Sequence, residues 1–337
     1  MIKNNITNNF WEELKKPYFI LAPMADVTDS AFRQIICITG KPDILYTEFV
    51  SADGLCSEKG RPKLMPHLAF KENEHPIVAQ FFGANPENFY KCAQLAVELG
   101  FDGIDINMGC PAGKIVKHDS GAGLIRNPEL AKEIIRETKR GARSTSSGQA
   151  GGLPVSVKTR IGYNKIITEE WISHLIEAGP DAIIIHGRTM KEMSKVPAHW
   201  DEIGKAAVLC KKAGIPIIGN GDVMSYAEGV AKTEQYGLDG IMVGRGIFSN
   251  PWFFSAKGGS AFGGNPTTKT PEKRIELLKK HVELFTELWG NNKNFDTMKK
   301  FFKMYISGFD GAKELRTKLM SAKNPAQVEE ILSKKIA

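Results

Sequence analysis

Residues 77–106 contain the repeating pattern that decides the fold: Ile77-Val-Ala-Gln-Phe-Phe82, then Asn85-Pro86-Glu87, an amphipathic stretch over 89–99, and Gly103-Ile-Asp-Ile106. The Asn-Pro-Glu tripeptide provides a helix cap followed by a proline that suits the first turn. Continuous apolar strands that alternate with amphipathic helices are typical of a parallel sheet covered by helices on its outer face. The stretch therefore predicts a strand, a helix and a second, parallel strand.

The same pattern recurs along most of the chain. Short apolar or β-branched runs occupy residues 18–22, 44–49, 77–82, 103–106, 155–159, 182–185, 215–218 and 240–243. Eight such units match a TIM (β/α)8 barrel in number and in length. A doubly wound sheet is the alternative, but it usually has fewer strands and a glycine-rich phosphate loop after the first one. Here the first strand runs into Ala22-Pro23-Met24-Ala25, which contains no such loop.

Two glycine-rich segments interrupt the pattern. Segment 257–269 separates a catalytic barrel, residues 1–256, from a tail over 270–337 and is interpreted as a linker. Helical periodicity in the tail covers residues 271–288, 295–306, 312–321 and 325–336. We expect a small C-terminal helical bundle with its aromatic residues in the core. We expect the other segment, 141–152, to form a long, disordered loop between the fourth helix and the fifth strand.

The positive net charge of the chain lies in its tail. Residues 1–256 carry 29 Lys and Arg residues and 29 Asp and Glu residues, whereas residues 257–337 carry 16 and 9. A neutral body with a basic tail indicates a polyanionic partner held by the tail. The alternative is a lysine-rich, solvated helical face. The candidates for phosphate contacts are Lys299, Lys300, Lys303, Lys313, Arg316 and Lys318.

Cysteine and histidine usage limits the possible classes. The five cysteines are widely spaced and include no C-x-x-C pair, so we expect reduced thiols in a cytoplasmic protein. The seven histidines are scattered, and no spacing typical of a metal site occurs. The first residues lack the apolar region of an export signal, and no apolar run is long enough to span a membrane. We therefore expect neither a metal nor a membrane partner.

Cys110 follows a short apolar strand and lies between Gly109 and Pro111. Loops at the carboxyl ends of parallel strands face the ligand crevice, so this cysteine is a candidate functional residue. A structural cysteine would more often lie inside a strand or helix as a small apolar side chain.

Two glycine-containing loops follow the seventh and eighth predicted strands: Gly219-Asn220-Gly221-Asp222-Val223 and Gly244-Arg245-Gly246. TIM barrels commonly bind a phosphate between these two loops, through backbone N–H groups that glycine allows to come close. Arg245 would add a charge-assisted contact. The alternative is that these glycines only serve tight turns between strands and helices.

Four further side chains are expected to face the mouth of the barrel. Met24 follows the first strand and Gln80 lies on the third, while Lys158 lies on the fifth and His186 at the end of the sixth. Together with the phosphate loops they would surround a flat ligand of flavin size, with Lys158 near the edge of the ring that becomes anionic on reduction. A lone histidine is as often structural as functional, so the functional interpretation of His186 depends on its neighbours.

Several of these motifs, taken in order, closely resemble tRNA-dihydrouridine synthases. They are Ala22-Pro23-Met24, Gln80, Asn107-Met-Gly-Cys110-Pro111-x-x-Lys114, Lys158-Thr-Arg160-Ile-Gly, His186-Gly-Arg188-Thr189, Asn220-Gly221-Asp222 and Gly244-Arg245-Gly246. The resemblance extends from Pro17 to the C-terminus, and residues 308–316 look like the tail of the bacterial B-type branch.

The resemblance implies an FMN enzyme that reduces the C5=C6 bond of particular uridines in tRNA, with NADPH or NADH recharging the flavin. It implies that Cys110 protonates C5 while hydride passes to C6. Asn107 and Arg160 look like uracil-pocket residues, and Lys114 and the basic tail look like tRNA contacts. The residues implied to hold FMN are Pro23, Met24, Ala25, Gln80, Lys158, His186, Asn220, Gly221, Asp222, Gly244 and Arg245.

This chemistry agrees with the residues themselves. Protonation of C5 requires a neutral acid, and a thiol with a pKa near its usual value of about 8.5 is mostly protonated at neutral pH. The target uridine must leave its stack, which suits an open, basic mouth. We expect a monomer, because a substrate as large as tRNA requires open surface.

Two rival functions are weighed against this one. A dihydroorotate dehydrogenase-like FMN reductase of a small molecule can share the barrel and the loop cysteine, but it has no use for a basic tail. A tRNA-binding protein without catalysis is disfavoured by the presence of Cys110 and Lys158. Residues 190–197 depart from the glutamine- or glycine-rich stretch of many relatives, so the position of the modified uridine does not transfer.

Overall fold

The computed structural model describes residues 9–143, 152–256 and 270–333. Its strands are β1 (Tyr18–Leu21), β2 (Leu45–Tyr46), β3 (Val50–Ser51), β4 (Ile77–Phe82), β5 (Gly103–Met108), β6 (Val155–Arg160), β7 (Ala182–His186), β8 (Ile217–Asn220) and β9 (Gly240–Val243). Neighbouring strands are parallel, in the order β1, β9, β8, β7, β6, β5, β4, β2. Strand β2 pairs with the first residues of β4, and β3 pairs with the last residues of β4.

The sheet curls into a nearly closed barrel. Its two ends meet at a parallel bridge between Ile20 and Ile44, and β2 and β3 together occupy one of the eight strand positions. The predicted TIM barrel is therefore confirmed, and each predicted strand corresponds to one of these positions. The second one is broken into β2 and β3.

Helices precede, connect and surround the strands, and Phe10 and Trp11 of the first helix pack with the apolar cluster of the barrel interior. The helices are α1 (Phe10–Glu13), α2 (Ser30–Gly40), α3 (Ala52–Leu55), α4 (Arg61–Leu64), α5 (Pro86–Glu98), α6 (Gly113–Val116), α7 (Pro128–Arg143), α8 (Thr168–Ala178), α9 (Trp200–Ala213), α10 (Tyr226–Tyr236) and α11 (Gly246–Ser249). Asn85 caps α5 by accepting a hydrogen bond from the Glu87 N–H, as the Asn-Pro-Glu signal predicts. Short 3-10 turns occupy Met65–Leu68, Glu72–Glu74, Gly121–Arg126 and Phe253–Ala256.

The expected loop over 141–152 begins later than predicted. Helix α7 continues through Gly141 to Arg143, because α7 packs closely against α5 at this point. A Cβ at Gly141 would lie 2.3 Å from the Tyr90 carbonyl oxygen, so glycine permits this approach. The expected disorder concerns residues 144–151, which lie outside the described residues, as does the whole linker 257–269.

The tail is helical, as predicted, with one difference. It contains α12 (Pro271–Trp289), a 3-10 segment (Phe295–Phe301), α13 (Phe302–Tyr305), α14 (Ala312–Met320) and α15 (Pro325–Ser333). The predicted helix over 295–306 is thus a 3-10 segment followed by one α-helical turn. Phe301, Phe302 and Tyr305 are all buried, and the 3-10 geometry accommodates their packing.

Tail and barrel meet through polar contacts, one of them buried and one exposed. The Trp289 indole N–H donates to Asp29 Oδ2 at 2.7 Å, and Asp29 Oδ1 caps α2 by accepting from the Phe32 N–H at 3.0 Å. Lys300 Nζ donates to the Asp26 carbonyl at 2.9 Å. Among the described residues, none of the helices combines the length and the apolar character required to cross a membrane.

Replacing Trp289 with Phe is expected to lower the free energy of unfolding by about 1–3 kcal/mol, because a buried carboxylate oxygen loses its donor. Urea titration measures this difference. The double variant Trp289→Phe/Asp29→Asn should cost less than the sum of the two single changes, since both remove the same bond. If the two single changes in the free energy of unfolding add exactly, the bond between Trp289 and Asp29 does not stabilise the contact between tail and barrel.

Candidate active site

Strand alternation brings the predicted site residues together at the carboxyl end of the barrel. Inward side chains recur every second residue along each strand, and the register aligns neighbouring strands. Asn107 pairs with Lys158, Arg160 pairs with His186, and His186 pairs with Asn220. Four consecutive strands thus contribute polar side chains to a layer at the carboxyl end of the barrel that spans two rows of the register.

This layer borders a cavity of about 580 Å³. The cavity wall consists of Ala22, Pro23, Met24, Lys158, Arg160, His186, Arg188, Asn220, Gly221, Asp222, Val223, Met224, Met242, Gly244, Arg245, Gly246 and Ser249. Four of these residues are Lys or Arg, and one is a carboxylate. The cavity is therefore suited to an anionic ligand.

Lys158 has no carboxylate within ion-pair distance in the described chain. Its Nζ lies 3.4 Å from Asn220 Oδ1, and the Asn220 amide is oriented by its own donation to the Met242 carbonyl at 2.7 Å. Burial, and then the charge of Arg160, lower the pKa of Lys158 to about 8, although Asp105 and Cys110 oppose this shift. An amine in this environment gains most from an acceptor that enters the cavity.

His186 is neutral and its tautomer is defined. Arg188 Nη1 lies 3.1 Å from His186 Nε2. Since a guanidinium can only donate, Nε2 is the acceptor and the ring proton lies on Nδ1. Burial lowers the pKa of His186 well below its usual value, and the charges of Arg160, Lys158 and Arg188 act in the same direction.

Asp222 joins the two arginines of the phosphate-loop side. It forms ion pairs with Arg188 and, at 3.0 Å, with Arg245, and it accepts from the Ala198 N–H at 3.0 Å. Burial favours the neutral acid, but these hydrogen bonds and charges outweigh it and lower the pKa of Asp222. The backbone of Asp222 has φ = 50°, directly after Gly221 with φ = 138°.

Gly221 is required by close packing as well as by its backbone angle. A Cβ there would lie 2.6 Å from the Ala198 Cβ, so any side chain would displace the neighbouring loop. At Gly244 a Cβ would face Ala22 and Met24 at 3.7–3.9 Å, on the wall of the cavity. A side chain at Gly244 would thus occupy ligand space.

Cys110 is held by a buried chain of hydrogen bonds. Asn107 Oδ1 accepts from the N–H groups of Gly109 at 3.0 Å and Cys110 at 2.9 Å, while Asn107 Nδ2 donates to Gln80 Oε1 at 3.0 Å. Gln80 Nε2 in turn donates to Asp105 Oδ2 at 2.6 Å. The carboxylate therefore determines which way the Gln80 amide points and, through it, the Asn107 amide.

Arg160 connects the Cys110 turn to the next loop. Its Nε donates to the Gly109 carbonyl at 2.7 Å, and its Nη1 donates to the Thr189 and Met193 carbonyls at 3.1 and 3.3 Å. The unusual loop 190–197 is also fixed by Glu192, whose carboxylate accepts from the Thr189 N–H at 2.8 Å and pairs with His199 at 2.9 Å. Arg160 and Asn107 thus make several bonds within the protein.

The Cys110 thiol stays protonated at neutral pH. Burial raises the pKa of Cys110, while the Ala112 N–H and the charges of Arg160 and Lys158 only partly oppose this shift. Its carbonyl also accepts from the Ala122 N–H at 3.0 Å, which fixes the turn from the other side. The arrangement provides a neutral acid beside a cationic cavity.

The predicted site residues fall into three groups. Ten line the cavity: Pro23, Met24, Lys158, Arg160, His186, Asn220, Gly221, Asp222, Gly244 and Arg245. Gln80, Asn107 and Cys110 form the adjoining chain that leads to the turn. Ala25 and Lys114 are exposed and lie outside both sets.

Sequence reasoning missed two of the most connected side chains. Arg188 is 3% exposed and touches His186 and Asp222, and Asp105 is fully buried. Alternation points to both, because Asp105 lies two residues before Asn107 on β5 and Arg188 lies two residues after His186. Among the described residues, no cluster of three or more His, Cys, Asp or Glu side chains has the geometry of a metal site.

Comparisons with known proteins agree with this geometry. The family model described as "Dihydrouridine synthase (Dus)" matches residues 20–337. A "Probable tRNA-dihydrouridine synthase" of Staphylococcus aureus (strain Mu50) is 40% identical over 328 residues, covering 96% of this chain and 94% of that protein. A "Probable tRNA-dihydrouridine synthase 2" of Bacillus subtilis (strain 168) is 40% identical over 331 residues, covering 97% and 96%. A "Probable tRNA-dihydrouridine synthase" of Staphylococcus epidermidis (strain RP62A) is 39% identical over 328 residues.

The buried Asp105 generates a pH-dependent prediction for stability. Burial raises the pKa of Asp105 to about 7, although hydrogen bonds from Ser156 and Gln80 and the charge of Lys158 oppose it. In the unfolded chain the pKa of aspartate is about 3.9. Between these two pKa values the folded state holds a proton that the unfolded chain releases. The contribution of this proton to the free energy of unfolding is fully present below about pH 4. It is lost as the pH rises toward 7, by about 1.4 kcal/mol per pH unit.

Asp105→Asn removes this titration, so the stability of the wild type should fall relative to the variant between pH 5 and 7. Urea unfolding at several pH values measures the difference. The exposed carboxyl variant Glu133→Gln in α7 serves as the control and should leave the wild-type pH profile unchanged. A gap between wild type and Asp105→Asn that is constant with pH would show that Asp105 is ionised throughout.

Proposed function

Because this chain belongs to the dihydrouridine synthase family, we propose that it reduces the C5=C6 bond of particular uridines in tRNA to 5,6-dihydrouridine, with FMN as its cofactor and NADPH or NADH as the reductant. The observation that carries the proposal is the protonated Cys110 thiol, fixed in a turn beside a cation-lined cavity. A proton donor next to an anion site is what reduction of an activated double bond requires.

The residues present fit FMN. The cavity offers four cationic side chains and a glycine wall at Gly221 and Gly244, which suits a phosphate that is approached by backbone N–H groups. Within the described chain Lys158 offers an amine that has no carboxylate partner, which suits the electron-rich edge of a flavin ring. The residues proposed to hold the cofactor are Pro23, Met24, Ala25, Gln80, Lys158, His186, Asn220, Gly221, Asp222, Gly244 and Arg245.

In this proposal, reduced FMN supplies a hydride for C6 of the uracil ring. Cys110 delivers a proton to C5, so that the double bond is replaced by two C–H bonds, and the resulting thiolate recovers its proton from solvent. The charges of Arg160 and Lys158 stabilise that thiolate as it forms, since both lower the Cys110 pKa. Burial keeps the thiol neutral before the step, which makes it an acid rather than a nucleophile.

Asn107 and Arg160 are proposed to border the uracil. Their hydrogen bonds also hold the Cys110 turn, so each would shape the uracil pocket and fix the position of the acid at the same time. A uridine must leave its stack in tRNA to reach this layer of the barrel. An open cavity mouth permits that approach.

The basic tail is proposed to hold the tRNA. Of the six candidate cations there, Lys299 pairs with Asp296, and Lys300 and Arg316 donate to backbone carbonyls. The other three are Lys303, Lys313 and Lys318, which are exposed and form no ion pair within the described chain. We propose these three, with Lys114 near the Cys110 turn, as phosphate contacts, and we expect a cytoplasmic monomer.

Cys110→Ala is expected to lower the rate of dihydrouridine formation by about 10²- to 10⁴-fold, the usual contribution of a positioned general acid. Mass spectrometry of an unmodified tRNA transcript after incubation with protein, FMN and NADPH measures the product. Flavin reduction by NADPH should be unchanged, because Cys110 acts only on the uracil.

Cys37→Ser is the matched thiol control, since Cys37 lies in α2, outside the cavity wall. It should retain the wild-type rate. An NADPH-reducible flavoprotein that forms no dihydrouridine would instead indicate a small-molecule reductase. Full activity of Cys110→Ala would remove Cys110 from its proposed role.

The double variant Lys313→Glu/Lys318→Glu is expected to raise the Kd for tRNA and the KM while leaving kcat nearly unchanged. The salt dependence of log Kd should also become shallower, by about 0.7–0.9 for each phosphate contact removed. Filter binding across a KCl series measures both effects. The matched control is Lys211→Glu/Lys212→Glu, which reverses the charge of two exposed lysines at the C-terminal end of α9. This end of the helix lies away from the mouth of the barrel, so the control variant should bind tRNA like the wild type.

A further inference from the structure

Two cysteines that the proposed reaction does not use meet on the outside of the barrel. Cys56 follows α3, and Cys92 lies in the middle of α5. The Cys56 N–H donates to the Ala52 carbonyl at 3.0 Å, and the Cys92 thiol lies 3.8 Å from the same oxygen. The Cys56 thiol in turn lies 3.7 Å from the Asn88 carbonyl, one turn before Cys92 on α5. The two side chains thus converge on one point between the helices.

The surroundings of the pair differ from those of a packed core. Both cysteines line a surface cavity of about 270 Å³, together with the cations Arg61 and Lys91. Cys56 is exposed, whereas Cys92 is 1% exposed and lies directly behind it. A small solute can therefore reach the first sulfur but not the second.

The electrostatics of the pair favour one thiolate. A hydrogen bond from Cys92 holds the pKa of Cys56 at about 7, with help from Lys91 and Arg61, although burial and Asp53 oppose it. The same bond and burial raise the pKa of Cys92, which is therefore the proton donor of the pair. Burial instead raises the pKa of Cys37 to about 11 and of Cys210 to about 12.

We propose that Cys56 and Cys92 form a redox-active dithiol, which a hydroperoxide converts to a reversible disulfide that joins α3 to α5. The Cys56 thiolate attacks the peroxide, an S–O bond forms as the O–O bond breaks, and the leaving hydroxide or alkoxide takes a proton. The Cys92 sulfur then displaces the oxygen of the Cys56 sulfenic acid, its thiol proton leaves with that oxygen as water, and the S–S bond forms. Two thiols and one peroxide thus give one disulfide and two molecules of water or of water and alcohol. A dithiol reductant reverses the change.

The arrangement assigns a separate role to each sulfur. The exposed thiolate is the site of oxidation, because nucleophilic attack requires the thiolate and access to solvent. The buried thiol is the resolving partner, because it lines the same cavity as Cys56 and, at 1% exposure, is shielded from peroxide itself. Cys110 lacks this combination, since burial keeps it protonated and no second cysteine adjoins it in the described structure.

The full-length protein treated with equimolar hydrogen peroxide, then blocked with an alkylating agent under denaturing conditions, tests the proposal. We expect intact mass spectrometry to show two blocked thiols fewer than in the untreated protein, and peptide mapping to show a Cys56–Cys92 crosslink. Dithiothreitol should restore both thiols. Alkylation of Cys56 together with Cys92 after peroxide treatment, or a crosslink between other cysteines, would overturn the proposal.

Single variants separate the two roles. In Cys92→Ser the Cys56 sulfenic acid should persist and react with dimedone, whereas Cys56→Ser should resist oxidation at Cys92. The control Cys37→Ser should form the crosslink as the wild type does. If a variant at Cys92 fails to fold, the wild-type crosslink map still decides the question, since it requires no substitution. Dimedone labelling at Cys37 in preference to Cys56 in the Cys92→Ser variant would contradict the assigned site.

Discussion

The alternation of side chains along parallel strands is the constraint on which the rest of this molecule depends. In a closed barrel, every second residue points inward, so apolar and polar positions stack in layers. Tyr18, Ile20 and Ile218 belong to the apolar cluster of the interior, and Lys158 and Asn220 belong to the polar layer at the carboxyl end. Because several strands place polar residues at the same height, cations that would repel one another in a compact core instead surround a cavity. The anion site is a consequence of closing the barrel.

Within this frame, one buried carboxylate orders the turn that carries Cys110. Asp105 can only accept from Gln80 Nε2 if the Gln80 oxygen faces Asn107, and Asn107 must then direct its own oxygen toward the Cys110 N–H. The cost of burying Asp105 is offset only partly by these bonds, as its raised pKa shows. A neutral side chain would be easier to bury. Asp105 therefore adds direction to the network, which an amide in its place would lose.

The period of the sequence was sufficient to predict the barrel and its strands, because these depend on local alternation, whereas several residues of the cavity wall, among them Pro23 and Arg160, were expected only from the family resemblance. The Asn-Pro-Glu start of α5 has an equally local cause, whereas Gly221 is required by its backbone angle and also by packing against Ala198. The break between β2 and β3, the 3-10 segment over Phe295–Phe301 and the continuation of α7 past Gly141 depend on packing between distant elements. So do the partners of Asp105 and Arg188, since which donor meets a given acceptor depends on rotamers and on register across strands. No spacing rule for cysteines predicts the approach of Cys56 and Cys92, which are 36 positions apart.

Cys110 and Cys56 show how one residue type acquires opposite chemistry from its surroundings. Both lie near two cations, Arg160 and Lys158 for the first and Arg61 and Lys91 for the second. At Cys110 burial dominates, so the neutral thiol persists and the cations act mainly once a proton has left. At Cys56 solvent access reduces that penalty, and a hydrogen bond from a second thiol lowers the pKa to about 7, so a large fraction of the thiolate is present at neutral pH. Charge alone therefore does not distinguish an acid from a nucleophile, because the balance between desolvation and direct hydrogen bonding decides which form each cysteine keeps.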